Sequence, residues 1–257
     1  MLDAAALDIA AIERPGLDPG PSLAALDRIA SELATRLGAI ADGQKFIRAA
    51  NEYLFEELGF RGNEADYYDP RNSCLDEVMD RRTGIPITLS VVYIEVARRL
   101  RKPVFGIGLP GHFVVQYDDD IYSTFIDPFH GGKLLSTDDC RMLAREITGT
   151  DIAGDPKVLA PVSTRYILTR MLNNLRSAYF RSKNYAKAGT VMDLLVEAFP
   201  ENGDYFKARG VARLHLREFG GAKRDFENYL RFSPEAEDRG EVTKQLEAIH
   251  RWLGRLN

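Results

Sequence analysis

The sequence predicts an α+β domain, with a helical N-terminal half and a small antiparallel sheet, followed by an all-α module of paired helices. Three patterns carry that expectation. Apolar residues recur at three- and four-residue steps up to about residue 100. The period then shortens toward alternation between residues 104 and 126, and the last third repeats itself every 34 residues.

Taken in order, Pro21-Ser22 opens a helix whose apolar stripe is Leu23, Leu26, Ile29, Ala30, Leu33 and Leu37. A second helix is expected from Gln44 to Leu58, with Phe46, Ile47, Ala50 and Leu54 inward and Gly59 as its stop. Arg61 to Arg71 is polar, with turn signals at Gly62-Asn63 and Asp69-Pro70, and is expected as a loop. A short helix over Leu75 to Arg82 follows. Pro86 suits the first turn of a longer one to Leu100, where proline's fixed φ and missing donor cost nothing. Strands are expected at Val104–Leu109, His112–Tyr117 and Ile121–Ile126, with Asp118-Asp119-Asp120 as the hairpin turn. Gly131-Gly132 marks a loop, and Thr137-Asp138-Asp139 starts a helix that carries Cys140 to Ile147.

In the last third, Tyr185 and Phe219, Ala188 and Ala222, and Pro200 and Pro234 are each 34 residues apart. An aromatic residue, a small residue and a closing proline at that period are the signature of tetratricopeptide repeats. Two repeats, about 169–202 and 203–236, cannot bury their apolar faces alone, so Glu241 to Leu256 is expected to cap them. The expected domains are residues 1–155 and 162–257, with Thr150 to Pro161 as linker. The first helices of such repeats line a groove that takes peptides or partner helices. Groove-facing candidates are Arg170, Asn173, Ser177 and Phe180 in the first repeat, and Asp204, Lys207, Val211 and Leu214 in the second. Arg170, Asn173 and Lys207 supply fragments of a carboxylate clamp.

Composition narrows the function classes. A formal net charge of -4 gives no global electrostatic reason to expect nucleic acid or an anionic membrane as partner. The N-terminus lacks the basic and apolar regions of a secretory signal, and no apolar run approaches a membrane span. With only Cys74 and Cys140, no disulfide framework or Cys-x-x-Cys pair is available. The expectation is a cytoplasmic protein with a protein or peptide partner and no cofactor. His112, His130, His215 and His250 show no metal-ligand spacing, so no metal is expected.

Four blocks carry a resemblance: Asn72-Ser73-Cys74-Leu75-Asp76-Glu77-Val78, Arg81 to Ser90, Gly108-Leu109-Pro110-Gly111-His112-Phe113, and Ile126 to Gly132. Together they resemble a bacterial transglutaminase-like family that carries C-terminal tetratricopeptide repeats, within the papain-like transglutaminase superfamily. The resemblance implies a Cys-His-Asp core. A cysteine at a helix N-terminus is held as thiolate by the helix dipole, a histidine takes its proton, and an aspartate fixes the imidazole. His112 and Asp127 match the histidine and the aspartate. Members place Gly-x-Cys at the start of the helix; here Gly84-Ile85-Pro86 puts Pro86 in the cysteine slot, so the nucleophile is missing.

Three residues could substitute. Thr88 and Ser90 lie two and four residues on, and Ser90 is displaced by roughly 6 Å along the helix. Cys74 is a thiol, but precedes the slot by 12 residues. The favoured expectation is a pseudoenzyme that works through protein–protein interaction. The alternative is a hydrolase or acyl-transferase with Ser90, Thr88 or Cys74 as nucleophile, His112 as base and Asp127 as orienter. Arg81 and Arg82 read first as a solvated salt-bridge face with Asp76, Glu77 and Asp80. As cleft residues they would hold an acidic ligand, with Asn72 and Ser73 at the cleft edge. His130 is read as exposed and without a partner.

Overall fold

A computed structural model of the chain describes residues 1–38, 42–152 and 155–254, with the side chain of residue 156 excepted. It is mostly helical and divides into two compact units, 1–171 and 172–257. The first unit begins with α1 (Leu2–Ala10), α2 (Gly20–Leu37) and α3 (Gly43–Asn51), which runs on as a π-helical turn over Glu52–Glu57. β1 (Arg61–Gly62), a 3-10 turn at Pro70–Ser73, α4 (Leu75–Arg81), β2 (Thr83–Gly84) and α5 (Pro86–Arg99) follow. Next come β3 (Val104–Ile107), β4 (Val114–Asp118), β5 (Ser123–Asp127), a 3-10 turn at Pro128–His130, and β6 (Lys133–Leu135). α6 (Thr137–Thr148), a 3-10 turn at Pro156–Leu159 and α7 (Thr164–Arg181) complete this part, and the division between units falls inside α7.

α5 is the core helix. Pro86 opens it, and Ile87, Leu89, Val91, Val92, Tyr93 and Val96 are all buried. It meets α1, α2 and α4, and also β3, β4 and the 128–130 turn. The four strands β3-β4-β5-β6 form an antiparallel sheet in sequence order, with Val115 opposite Ile126 and Phe125 opposite Leu135. On the sheet's other face, Val114, Phe125 and Leu135 pack with Cys140 and Ala144 of α6. Alternation along β5 therefore sends Ile126 to one layer and Phe125 and Asp127 to the other.

Several elements differ from the sequence expectation. α1 carries no strong periodic signal, yet it buries Leu2, Ala6, Leu7, Ile9 and Ala10. The second expected helix changes to i→i+5 bonding near its end, where Leu58 N donates to Tyr53 O at 2.9 Å, before Gly59 turns left-handed at φ 73°. The segment expected as a loop contributes β1, which pairs in parallel with β2. Strands of two residues have no alternation to read. The strand expected from His112 starts at Val114, because Gly111 at φ 70° and the His112 N–H bond to Leu109 O turn the chain first. Likewise Ile121 is 94% exposed: the Asp119 carboxylate caps the Ile121 and Tyr122 N–H groups and delays β5 to Ser123. β6 lies in what reads as loop. Residues 153–154 of the expected linker and 255–256 of the expected capping helix lie outside the described residues.

The second unit continues with α8 (Tyr185–Ala198), α9 (Gly203–His215), α10 (Phe219–Phe232) and α11 (Arg239–Leu253). α8 and α10 begin 34 residues apart, each at the aromatic that set the period. Phe206, Ala222, Phe226 and Tyr229 form its core with Val242 and Ile249 of α11. Gly210 in the small-residue slot is required there: a Cβ would lie 2.7 Å from Phe226 Cε1. No helix among the described residues is long and apolar enough to cross a membrane.

Candidate functional site

The site is built by a turn. Asp127 ends β5, and Pro128 fixes the next φ and starts a 3-10 turn. Asp127 Oδ1 accepts the N–H groups of Phe129 at 3.0 Å and His130 at 3.4 Å. Gly131 and Gly132 then take positive φ, and Gly132 N donates to Asp127 O at 2.8 Å. A Cβ on Gly132 would lie 2.5 Å from Asn51 Cγ, whose amide donates to Gly132 O at 2.7 Å. The chain is thereby folded back so that His130 faces the carboxylate it follows.

His112 arrives from β4. The antiparallel register sets Val115 across from Ile126, so the chain before Val115, which carries His112, runs alongside the chain after Ile126, which begins with Asp127. His112 Nε2 lies 2.9 Å from Asp127 Oδ2, and His130 Nδ1 lies 2.7 Å from the same oxygen. The two imidazoles are stacked with centroids 5.7 Å apart, and Phe129 meets both rings edge-on. His112 and Asp127 are buried, whereas the His130 side chain is 42% exposed. Burial alone would raise the Asp127 carboxyl, but the bonds from His112 and then His130 outweigh it and hold it below the usual carboxylate range.

His130 corrects the sequence reading, which left it without a partner. The signal was present: a histidine three residues after an aspartate, with proline between and two glycines behind, is held in a tight turn. The three nitrogen and oxygen atoms lie within 4.8 Å of one another. Among the described residues they form the one group of His, Cys, Asp or Glu drawn closely enough to hold a metal ion. A cavity of about 340 Å³ opens beside them, lined by Asp127, His130, Lys133, Asp139, Met142 and Glu146.

The residues weighed as nucleophiles are placed differently. Pro86 is buried at the first position of α5. Thr88 Oγ1 accepts the Ile85 N–H at 3.2 Å and donates to Asn72 O at 2.6 Å, so its hydroxyl closes the helix start. Ser90 is fully buried, and among the described residues its Oγ has no hydrogen-bond partner, His112 included. Cys74 is fully buried at the start of α4, its Sγ 3.5 Å from Pro70 O. Cys140 is buried on α6, and burial, with the Asp139 and Asp127 charges behind it, pushes its thiol up to about 12. Among the described residues, the His112 ring has hydrogen-bond contact with Asp127 alone.

The binding candidates scatter. Asn72 and Ser73 are buried, not at a cleft edge; the Asn72 amide reaches Asp66 O and Tyr67 O, and its carbonyl accepts from Asn63. Arg81 leans on Asn72 and Asp69, and Arg82 lies over the Phe60 ring at 4.7 Å. Asp76 is not on a solvated face: it is buried and paired with Arg14 at 2.7 Å. Arg170 donates to Leu109 O at 3.0 Å and lies over Phe113. Asn173 bonds the Tyr205 hydroxyl, and Lys207 pairs with Asp238. The clamp fragments are thus engaged within the chain.

The profile of the transglutaminase-like superfamily matches residues 21–173, and a tetratricopeptide-repeat profile matches 175–247. The chain belongs to the transglutaminase-like superfamily. A UPF0162 protein of Xylella fastidiosa is 37% identical over 232 residues, which cover 89% of this chain and 83% of that one. A Vibrio cholerae UPF0162 protein is 26% identical over 81% of this chain and 77% of its own. F-box only protein 21 of Mus musculus is 32% identical over 65% of this chain, a stretch that makes up 28% of that longer protein. In this transglutaminase-like chain the paired histidine and aspartate stand in hydrogen-bond contact, and a proline opens the helix before them.

Proposed function

We propose that this chain is a non-catalytic transglutaminase-like protein that acts in protein–protein interaction or regulation. It would hold a protein or peptide partner through its cleft and its repeat groove. The observation that carries the reading is that, among the described residues, no thiol or hydroxyl shares a hydrogen bond with the His112 ring. A thiol or hydroxyl must share a hydrogen bond with the base to be activated. The Thr88 hydroxyl is committed to Asn72 O, Ser90 Oγ makes no hydrogen bond among the described residues, and Cys74 is buried with its Sγ 3.5 Å from Pro70 O. The repeats supply a function that needs no covalent step. Among the described residues Cys74 and Cys140 form no disulfide, which suits a reducing, cytoplasmic setting.

One observation favours a second reading. The His112–Asp127 pair keeps the spacing that orients an imidazole for general-base work. The alternative is a papain-like hydrolase or acyl-transferase with a relocated nucleophile, Ser90, Thr88 or Cys74, that uses His112 as base and Asp127 as orienter. The two part company in one assay. Purified chain is expected to show no amine incorporation into glutamine peptides and no amide hydrolysis, while a partner recovered with wild type still binds His112→Ala. A rate that His112→Ala abolishes would favour the enzyme.

A further inference from the structure

We propose that His112, Asp127 and His130 form a binding site for one divalent first-row transition metal ion, with Nε2, Oδ2 and Nδ1 as its protein ligands. The proposal goes beyond the interaction reading and does not depend on it. Two imidazole nitrogens and one carboxylate are a donor set that suits zinc, iron, cobalt or nickel and disfavours magnesium or calcium.

The spacing fits. Bonds of about 2.0–2.1 Å put neighbouring ligand atoms about 2.9 Å apart at octahedral angles and about 3.3 Å apart at the tetrahedral angles of zinc, within a few tenths of an ångström of the spacing found. The two nitrogens stand 2.9 and 2.7 Å from Asp127 Oδ2. Both rings converge on one oxygen, because the other oxygen is already taken by the Phe129 and His130 N–H groups. Backbone donors on the outer oxygen of a carboxylate orient its free oxygen as a single-atom ligand. His112 and Asp127 are buried and fixed, so two ligands are pre-organised. His130 is partly exposed and can adjust by the small movement that admits an ion.

The surroundings supply the rest. The adjoining 340 Å³ cavity gives an entry path and room for water in the open coordination positions. Its charged lining, Asp127, Asp139 and Glu146 against Lys133, is acidic in balance and favours a cation. Binding needs a lone pair on each coordinating nitrogen. A neutral ring that now donates its proton to Asp127 must carry it on its other nitrogen instead, and a protonated ring releases one proton to solvent.

The test uses full-length, tag-free protein freed of metal with a chelator. It is titrated with Zn²⁺ against a chromophoric competitor, and with Co²⁺ followed by visible absorption. Wild type is expected to take up one ion per chain with micromolar or tighter affinity and to give protein-bound Co²⁺ bands. His130→Ala, at a partly exposed position that leaves the fold intact, is expected to weaken binding at least about tenfold. Zn²⁺ is also expected to shield His112 and His130, and not His215 or His250, from diethyl pyrocarbonate as mapped by mass spectrometry. Failure of wild type to bind either ion overturns the proposal. So does equal binding by His130→Ala, or modification of His112 and His130 unchanged by Zn²⁺.

Discussion

A hydroxyl can be spent on structure, and Thr88 is. It joins the Ile85 N–H to the Asn72 carbonyl, and so ties the start of α5 to the 3-10 turn before α4. Thr88→Val keeps the shape and removes both bonds, leaving only a 3.4 Å contact from Ile85 N to Asn72 O. The expected cost is about 1–2 kcal/mol in urea unfolding. Reactivity at the same scale is set by burial. Cys74 and Cys140 are fully buried, and the Cys140 thiol is pushed up to about 12. Iodoacetamide at pH 8 is expected to label neither cysteine in native protein and both in denaturant. Rapid native labelling of Cys74 would restore it as a nucleophile. Asp3 gives the pH dependence. Burial alone would raise its carboxyl, but hydrogen bonds from Arg99 and the Ala4 N–H hold it below the usual value. A group with a lowered folded pKa stabilises the fold at pH values above the unfolded one, about 3.9, and loses that contribution as pH falls toward the folded value. Asp3→Asn is expected to lower stability at pH 7 and to flatten the acid limb of the stability curve below about pH 4.

The turn from Asp127 to Gly132 shows what an element contributes that no single residue does. Gly132 sits at φ 77°, with Asn51 where a Cβ would go. Gly132→Ala is expected to cost about 1–3 kcal/mol and to disturb the His130–Asp127 contact, seen as a shifted His130 ring signal in NMR. Long, strongly patterned elements were legible in the sequence: α2, α5 and the 34-residue helix pairs follow from period, and the hairpin from the acidic run, though its turn is residues 119–122. The short ones were not. β1, β2 and β6 have two or three residues each and are held by pairing that only the folded chain supplies. The site was half legible. Order along the chain marked His112 and Asp127, but His130 joins them through a turn, and the role of Asn72 depends on burial that its polarity argues against, with Arg81 bonded to it.

For the whole molecule, the sequence profiles place a transglutaminase-like domain ahead of tetratricopeptide repeats. The repeat core rests on Phe226, fully buried against the position of Gly210. Phe226→Ala is expected to cost about 3–5 kcal/mol of that unit's stability, read as earlier urea unfolding. The proposed function needs no covalent step. Its most direct test is amine incorporation and amide hydrolysis by purified wild type and His112→Ala, each after metal removal and after Zn²⁺ loading. Rates equal to the buffer background are expected for both proteins in both states. A wild-type rate above background that disappears in His112→Ala would contradict it.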